Sequence, residues 1–523
     1  MKRYSKSKEK LQAWKARFKS QLVSYSYKFN PWLAQKIKEQ IKVEAKVKFF
    51  QNHLADLTAA PDTDGRNSFP PQTTNEGLEI IKLARELLGA SYDLSGENII
   101  CFLSSASGAA EVVLSSCTHN LDSKRKILAT NFGAFSERTV RLAVSLGLPL
   151  KIIKLPYGTA PLFENLVKEI DTHTHLITFT HLETGTAQEL QPKELISKIT
   201  DYCRRKKITQ PIIAIDTTSS KGTINFQNYE EIPLVVYSGT LKTCGSPLMS
   251  FVAANDKALE KIISLRWEYH QKKYPLPYYF DLLREFSFQS PDKFFTLAAN
   301  IINLSEDELK LKLKSLAYHV APGKSYGRAN FTQSVYPYFS LGQKLLQRYK
   351  EAAKIGHPKT KEKLQETAEL LLKTQRNILT NFRNIGFQAL NFQPYGTIPS
   401  QSSMLNAYVL PEGINGEELK EFLRFQKGVI CGLGYNGAAP QDWEDNVHPR
   451  VKKAADILRL NNYQTMSNFS EALKQSERLL AGVSEFMQEK YAQRPFRKML
   501  KENKKQALRQ LKLEKKRIEN NNV

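Results

Sequence analysis

"LVVYSGTLKTCGSPLMSFVAA", Leu234 to Ala254, holds two apolar runs joined by a short polar segment that carries a single lysine, Lys242. The first run is β-prone and ends in Ser238, Gly239 and Thr240, and no carboxylate stands near Lys242 in sequence. The same texture recurs upstream in "NIICFL" (98–103), "KILATNF" (126–132), "LKIIKL" (150–155), "HLITFTH" (175–181) and "PIIAID" (211–216). Amphipathic stretches such as Phe135–Gly147 and Pro192–Arg205 separate these runs. Continuous apolar strands alternating with helices imply a mainly parallel sheet covered on both faces. Seven runs therefore predict an α/β domain built on a seven-stranded sheet. The last connection is short, which predicts an antiparallel final strand, since a parallel one needs a longer crossover.

The chain has 523 residues, 41% of them apolar, enough for a large core and more than one domain. Its formal net charge is +24, concentrated at the two ends. Residues 1–50 hold 14 Lys/Arg against 3 Asp/Glu, and residues 489–523 hold 12 against 4. Leu11, Trp14, Phe18 and Leu22 recur at helical spacing, so the N-terminus reads as a basic helix in preference to a transit peptide. Such ends suit contact with polyanions, or solvated helical extensions. No run approaches the roughly 20 apolar residues of a membrane span, and no secretory core is present. Five scattered cysteines without a CxxC pair argue against a disulfide framework or a metal site. A cytoplasmic setting is expected.

After residue 300 the texture changes. Charged helical stretches (Ser305–Leu316, Leu341–Ile385) precede the strand candidates 402–410 and 428–434, and a helix is expected from Asn468 to Ala492. This predicts a basic helical extension (1–55), a large domain (56–300), a small α+β domain with insertions (301–485) and a basic helical tail (486–523). The stretches 317–340 and 435–455 read as loops or insertions.

Ligands of open α/β sheets gather at the carboxyl ends of the strands. There "SSASG" (104–108) opens a helix and suits a phosphate at its positive end. Asp216 ends a buried strand, where a carboxylate is costly without a cationic partner. "LETGT" (182–186) offers Glu183, Thr184 and Thr186, and Phe135 offers a flat aromatic face. Pyridoxal 5'-phosphate accounts for the set: its phosphate suits the helix N-terminus, its protonated ring nitrogen suits Asp216, its aldehyde needs Lys242, and Thr184 suits its phenolic oxygen.

These segments resemble the class V aminotransferases of fold-type I over about Gly65 to Ala481, in two branches: the phosphoserine and the alanine/serine–glyoxylate aminotransferases. "YSGTLKTCGSP" is similar to the lysine segment of both. In the phosphoserine branch, "SSASG" would assign Ala106 and Ser107 to the phosphate, and "LETGTAQEL" would set Thr184 on the cofactor. "FQSPD" (288–292) would give Gln289 and Ser290 the role of reaching the neighbouring subunit's phosphate. "RLNNYQTM" (459–466) would make Arg459 the clamp for the substrate α-carboxylate, while His448, Arg450 and Arg66 would meet a substrate phosphate. The resemblance implies a homodimeric, pyridoxal-phosphate-dependent aminotransferase of small amino and keto acids, with the phosphoserine:2-oxoglutarate reaction first. The alternatives are the alanine/serine–glyoxylate reaction, a cysteine desulfurase-like lyase using Cys431, or a non-catalytic relative that binds polyanions. Two positions depart from the family pattern: Leu241 replaces a glutamine and Phe135 a tryptophan.

Overall fold

The computed structural model describes residues 75–118, 125–220, 224, 226, 229–242, 249–271, 279–315, 334–342, 344–345, 361–396, 405–433, 448, 450–461 and 469–490. Arg66, both chain ends and most of the 317–340 and 435–455 stretches lie outside these residues.

Helix α1 (Asn75–Ala90) leads into β1 (Ile99–Phe102), α2 (Ala106–Cys117), β2 (Lys126–Asn131), α3 (Ala134–Ser145) and β3 (Leu150–Lys154). There follow β4 (Thr174–Thr180), the hairpin β5 (Leu182–Glu183) and β6 (Gln188–Glu189), α4 (Pro192–Lys206), β7 (Ile212–Asp216), β8 (Leu234–Gly239), β9 (Ser250–Ala254) and α5 (Asp256–Gln271). Seven of these strands form one sheet in the order β1-β9-β8-β7-β4-β2-β3. The β2/β3, β2/β4, β4/β7 and β7/β8 pairs are parallel. Only β9 runs against its neighbours, β1 and β8. Each of the seven apolar runs is a strand, and the short lysine connection leads into the antiparallel one.

Alternate residues of the continuous apolar strands serve two cores. Ile177, Ile213, Ile215, Val236 and Phe251 pack with α1 and α4 on one face. Leu176, Ile212, Ala214, Val235 and Val252 pack with α2 and α5 on the other. Full burial of one such side chain stabilises by about 1.5–3 kcal/mol. A one-residue slip would exchange the two faces, so the register that aligns the strand ends is strongly held.

Beyond α6 (Leu282–Gln289), α7 (Pro291–Ile302), α8 (Glu306–Ser315) and α9 (Lys361–Ala389) lies a second, antiparallel sheet. Its strands β10 (Gln393–Pro394), β11 (Leu405–Val409), β12 (Gly432–Leu433) and β13 (Ile457–Asn461) run in the order β10-β11-β13-β12, with α10 (Gly416–Lys427) and α11 (Phe469–Lys490) packed on it. The expected strands 402–410 and 428–434 are shorter than read. β13 was not read as a strand, because "ILRLN" sets an arginine in a short apolar run. Pairing with β11 on one side and β12 on the other makes it central. Residues 336–340 are helical where a loop was expected, continuing into the helix expected from Leu341: Tyr338, Phe339 and Leu341 are buried in the first core, and Pro337 is tolerated in a first turn.

Leu182 and Ala187 of the β5–β6 hairpin pack against Tyr395, Leu405, Ala407 and Ile457, so the hairpin lies between the two sheets. Among the described residues no helix is long and apolar enough to cross a membrane, and no cluster of His, Cys, Asp and Glu could hold a metal ion.

Candidate active site

The segments that follow β1, β2, β4, β7 and β8 converge on a cavity of about 220 Å³. Its wall includes Ala106, Ser107, Phe135, Arg138, Thr180, Thr184, Asp216, Thr218, Ser219, Leu241 and Lys242. The parallel register brings these strand ends to one level, which explains how residues up to 137 positions apart share one wall.

Lys242 has a left-handed backbone, φ 66°, a conformation that costs a non-glycine residue roughly 1–2 kcal/mol. Its Nζ donates to Thr184 Oγ1 at 3.0 Å and to Ser219 Oγ at 2.6 Å, and these two hydroxyls are 2.5 Å apart. The same Nζ stands 5.1 Å from the centre of the Phe135 ring, and Arg138 Cζ lies 5.0 Å from it. Phe135 is therefore a shelf bounded by two cations.

Asp216 closes β7, and its Oδ1 accepts the Thr218 N–H at 2.8 Å. The carboxylate opens on the cavity but is otherwise enclosed by protein. Burial pushes its pKa up, against the Thr218 hydrogen bonds and the charges of Lys242 and Arg138. A cationic group in the cavity would relieve that penalty.

Helix α2 begins at the cavity without a side-chain cap: Ser105 occupies the N-cap position and makes no capping hydrogen bond. Its first turn, with Ala106 and Ser107, presents backbone N–H groups at the positive end of a 12-residue helix. Two glycines permit this geometry. A Cβ on Gly239 would meet Ala106 N at 3.0 Å, and one on Gly108 would meet Ser104 Oγ at 2.6 Å.

Glu183 is fully buried and caps α3 from another strand. Its carboxylate accepts the N–H groups of Phe135 (3.1 Å), Ser136 (2.9 Å) and its own neighbour Gly185 (3.0 Å). Burial raises its pKa while these three N–H groups oppose the rise. Gly133 makes room, since a Cβ there would lie 2.3 Å from Glu183 Cγ. One carboxylate thus ties the Phe135 shelf to the Thr184 loop. Next to it, His181 Nδ1 is 2.7 Å from Ser220 Oγ, and burial lowers the ring's pKa.

Of the residues singled out in sequence, Lys242, Ala106, Ser107, Phe135, Thr184 and Asp216 share the cavity wall. Arg459 is not part of the wall but is bonded to a residue that is, with Nε on the Leu433 carbonyl and Nη1 on the Thr184 carbonyl at 2.7 Å. Gln289 and Ser290 are not part of the cavity wall. Both are fully buried against β1, Gln289 exchanging two hydrogen bonds with the Cys101 backbone and Ser290 bonding Glu97 O and Arg85. His448 and Arg450 stand beside β10 and outside the cavity wall, with His448 Nε2 3.0 Å from Gln393 Oε1. Arg66 lies outside the described residues. Cys431 is partly buried, its thiol pushed up to about 11, which does not suit an exposed nucleophile.

Sequence reading missed Ser219, Arg138, Thr180 and the capping role of Glu183. "DTTSS" (216–220) carried a signal in its run of hydroxyls behind a strand-end carboxylate, and Arg138 follows Phe135 by three positions, on the same helix face.

Residues 63–266 match the sequence model of the aminotransferase class V family. A comparison with curated proteins finds no match. Among solved structures, the chain is similar to an aspartate aminotransferase of subgroup IV from Thermus thermophilus (18% identity, TM-score 0.55, covering 82% of this chain and 95% of that one). It is also similar to a ureidoglycine–glyoxylate aminotransferase from Bacillus subtilis (16%, TM-score 0.56, 79% and 87%) and a phosphoserine aminotransferase from Cytophaga hutchinsonii (15%, TM-score 0.54, 84% and 94%). At these identities the likeness is one of fold, that of the fold-type I transferases. The class V enzymes depend on pyridoxal 5'-phosphate, and the cavity fits that group. It offers an uncapped helix N-terminus, an enclosed carboxylate, a lysine, and Thr180, whose buried hydroxyl has no hydrogen-bond partner among the described residues.

Proposed function

We propose that this chain, whose residues 63–266 form a class V aminotransferase domain, transaminates a small amino acid by a ping-pong reaction, with phosphoserine as donor and 2-oxoglutarate as acceptor. The observation that carries this reading is the meeting of Lys242, Thr184 and Asp216 in one cavity beneath the Phe135 ring.

When bound, pyridoxal phosphate supplies an electrophilic aldehyde and an electron-accepting ring. The first turn of α2 holds the phosphate through its backbone N–H groups. Asp216 would hold a proton on the ring nitrogen, a pairing that would offset the burial of its carboxylate. Thr184 donates to the phenolic oxygen, and Phe135 covers one ring face and excludes water. Lys242 would hold the aldehyde carbon and, when its amine is free, would take the proton from the substrate Cα and return it as general base and acid. Arg459 clamps the α-carboxylate with its planar fork.

The phosphorylated donor is favoured by Arg450, whose buried Nη2 has no hydrogen-bond partner among the described residues and which stands beside His448. A guanidinium nitrogen in that condition suits an anion. The alanine/serine–glyoxylate reaction is the second reading, favoured by the bond of His448 to Gln393 and by the absence of both residues from the cavity wall. Single-turnover rates with phosphoserine, serine and alanine separate the two. Phosphoserine reacting fastest supports the first reading, and alanine or serine reacting fastest, with glyoxylate as acceptor, overturns it.

The same proposal includes a cytoplasmic homodimer divided at about residues 55, 300 and 485, and polyanion contact through the basic ends. Polyanion affinity that falls steeply with added salt, and disappears on deletion of both ends, would support that last element.

A further inference from the structure

The triangle formed by Lys242 Nζ, Thr184 Oγ1 and Ser219 Oγ has one corner with no part in the reaction described above. Thr184 serves the cofactor and Lys242 the substrate. Ser219 is 3% exposed, lines the cavity and makes the shortest of the lysine's two hydroxyl contacts, 2.6 Å against 3.0 Å.

Its position is held from several sides. The turn that carries it is closed by Ser220 N donating to Thr217 O at 2.9 Å, and Thr217 N donates to Tyr237 O at 3.0 Å. The Ser220 hydroxyl, one residue on, meets buried His181 Nδ1 at 2.7 Å. Asp216 begins the same turn and accepts from Thr218 N. Ser219 Oγ is therefore a fixed point against which a flexible lysine side chain is set.

We propose that Ser219 is a positioning residue for Lys242, holding its amine for attack when it is not joined to the cofactor; the inference rests on the transaminase reading. Two features carry it. A neutral amine that donates one N–H to Thr184 and the other to Ser219 keeps its lone pair for the electrophilic carbon. Both acceptors are uncharged hydroxyls, so this anchor sets the direction of the amine without adding a charge of its own to that of Asp216. Orientation of this kind acts on the rate of bond formation and not on the strength with which the cavity binds a ligand.

The test uses the full-length apoprotein, pyridoxal 5'-phosphate as reacting probe and pyridoxamine 5'-phosphate, which has no aldehyde, as binding probe. Ser219→Ala removes the hydroxyl, and Ser219→Cys fills the same space with a weak hydrogen-bonding group. Both variants should join pyridoxal phosphate about ten to a hundred times more slowly than the parent at saturating probe, as followed by absorbance and borohydride trapping. Their affinity for pyridoxamine phosphate should stay within about twofold of the parent's. The proposal is overturned if Ser219→Cys reacts at the parent rate, which would make the contact one of packing. It is also overturned if both variants lose pyridoxamine phosphate binding, which would make Ser219 part of the cavity's fold. Failure of the parent protein itself to join pyridoxal phosphate would instead remove the transaminase reading.

Discussion

Arg459 Nη1 donates to the Thr184 carbonyl oxygen at 2.7 Å, joining the central strand of the small sheet to the loop that carries a cavity hydroxyl, 275 residues away in sequence. That bond orients the guanidinium and holds Thr184 at once. Arg459→Lys keeps the charge but loses the planar fork. We expect KM for the amino donor to rise about 10–100-fold, corresponding to one or two charge-assisted hydrogen bonds, with a smaller fall in kcat. Steady-state kinetics against varied donor and acceptor check this, and an unchanged KM for both would remove Arg459 from substrate binding.

Lys242→Ala should abolish covalent attachment of pyridoxal phosphate while leaving noncovalent binding by α2 and Asp216 in place. Borohydride reduction of the parent followed by peptide mapping should find the cofactor on Lys242. Its recovery on another lysine would refute the assignment.

Asp216 couples function to stability. Burial raises its pKa in the folded apoprotein, so between the ordinary carboxylate range and that raised value the folded state holds more protons than the unfolded one. Apoprotein stability contributed by this group therefore falls as pH rises through that window. Asp216→Asn removes the penalty and should stabilise the apoprotein at neutral pH by about 1 kcal/mol. The same change should slow the donor half-reaction by about 10²–10⁴-fold. Thermal melts across pH and stopped-flow half-reactions measure the two effects, and a variant with both lower stability and normal rate would contradict the role.

Glu183→Ala leaves the N–H groups of Phe135, Ser136 and Gly185 without their buried acceptor. A loss of about 2–4 kcal/mol is expected from urea denaturation with an unchanged m-value. Because the same carboxylate seats Phe135, cofactor affinity should weaken alongside. A stability loss with full cofactor affinity would separate the cap from the shelf.

Arg450→Ala should lower the preference for phosphoserine over serine by about tenfold or more, the effect of one charge-assisted hydrogen bond. Competition of the two donors in a single reaction gives the ratio directly. An unchanged ratio would leave the buried Arg450 Nη2 without a substrate role.

The sequence by itself determined the seven strands, the antiparallel turn-back of β9, and the position of Lys242 and Asp216 at adjacent strand ends. Those features follow from local information: runs of apolar residues, the length of a connection, and a polar residue where a buried run stops. Only the tertiary structure decided what meets at those ends. Ser219 meets Lys242, and Glu183 meets the first turn of α3, through parallel register between strands far apart in sequence. "ILRLN" becomes a central strand only when β11 and β12 flank it, which carries Arg459 to Thr184. The motif at Gln289 and Ser290 shows the same dependence on distant partners. Its polar residues matched a cofactor segment in sequence, yet Arg85 and the β1 backbone supply hydrogen-bond partners that hold them in the interior. A residue's type limits which bonds it can make, but its partners are set by which distant backbone folds beside it, and no local pattern encodes that.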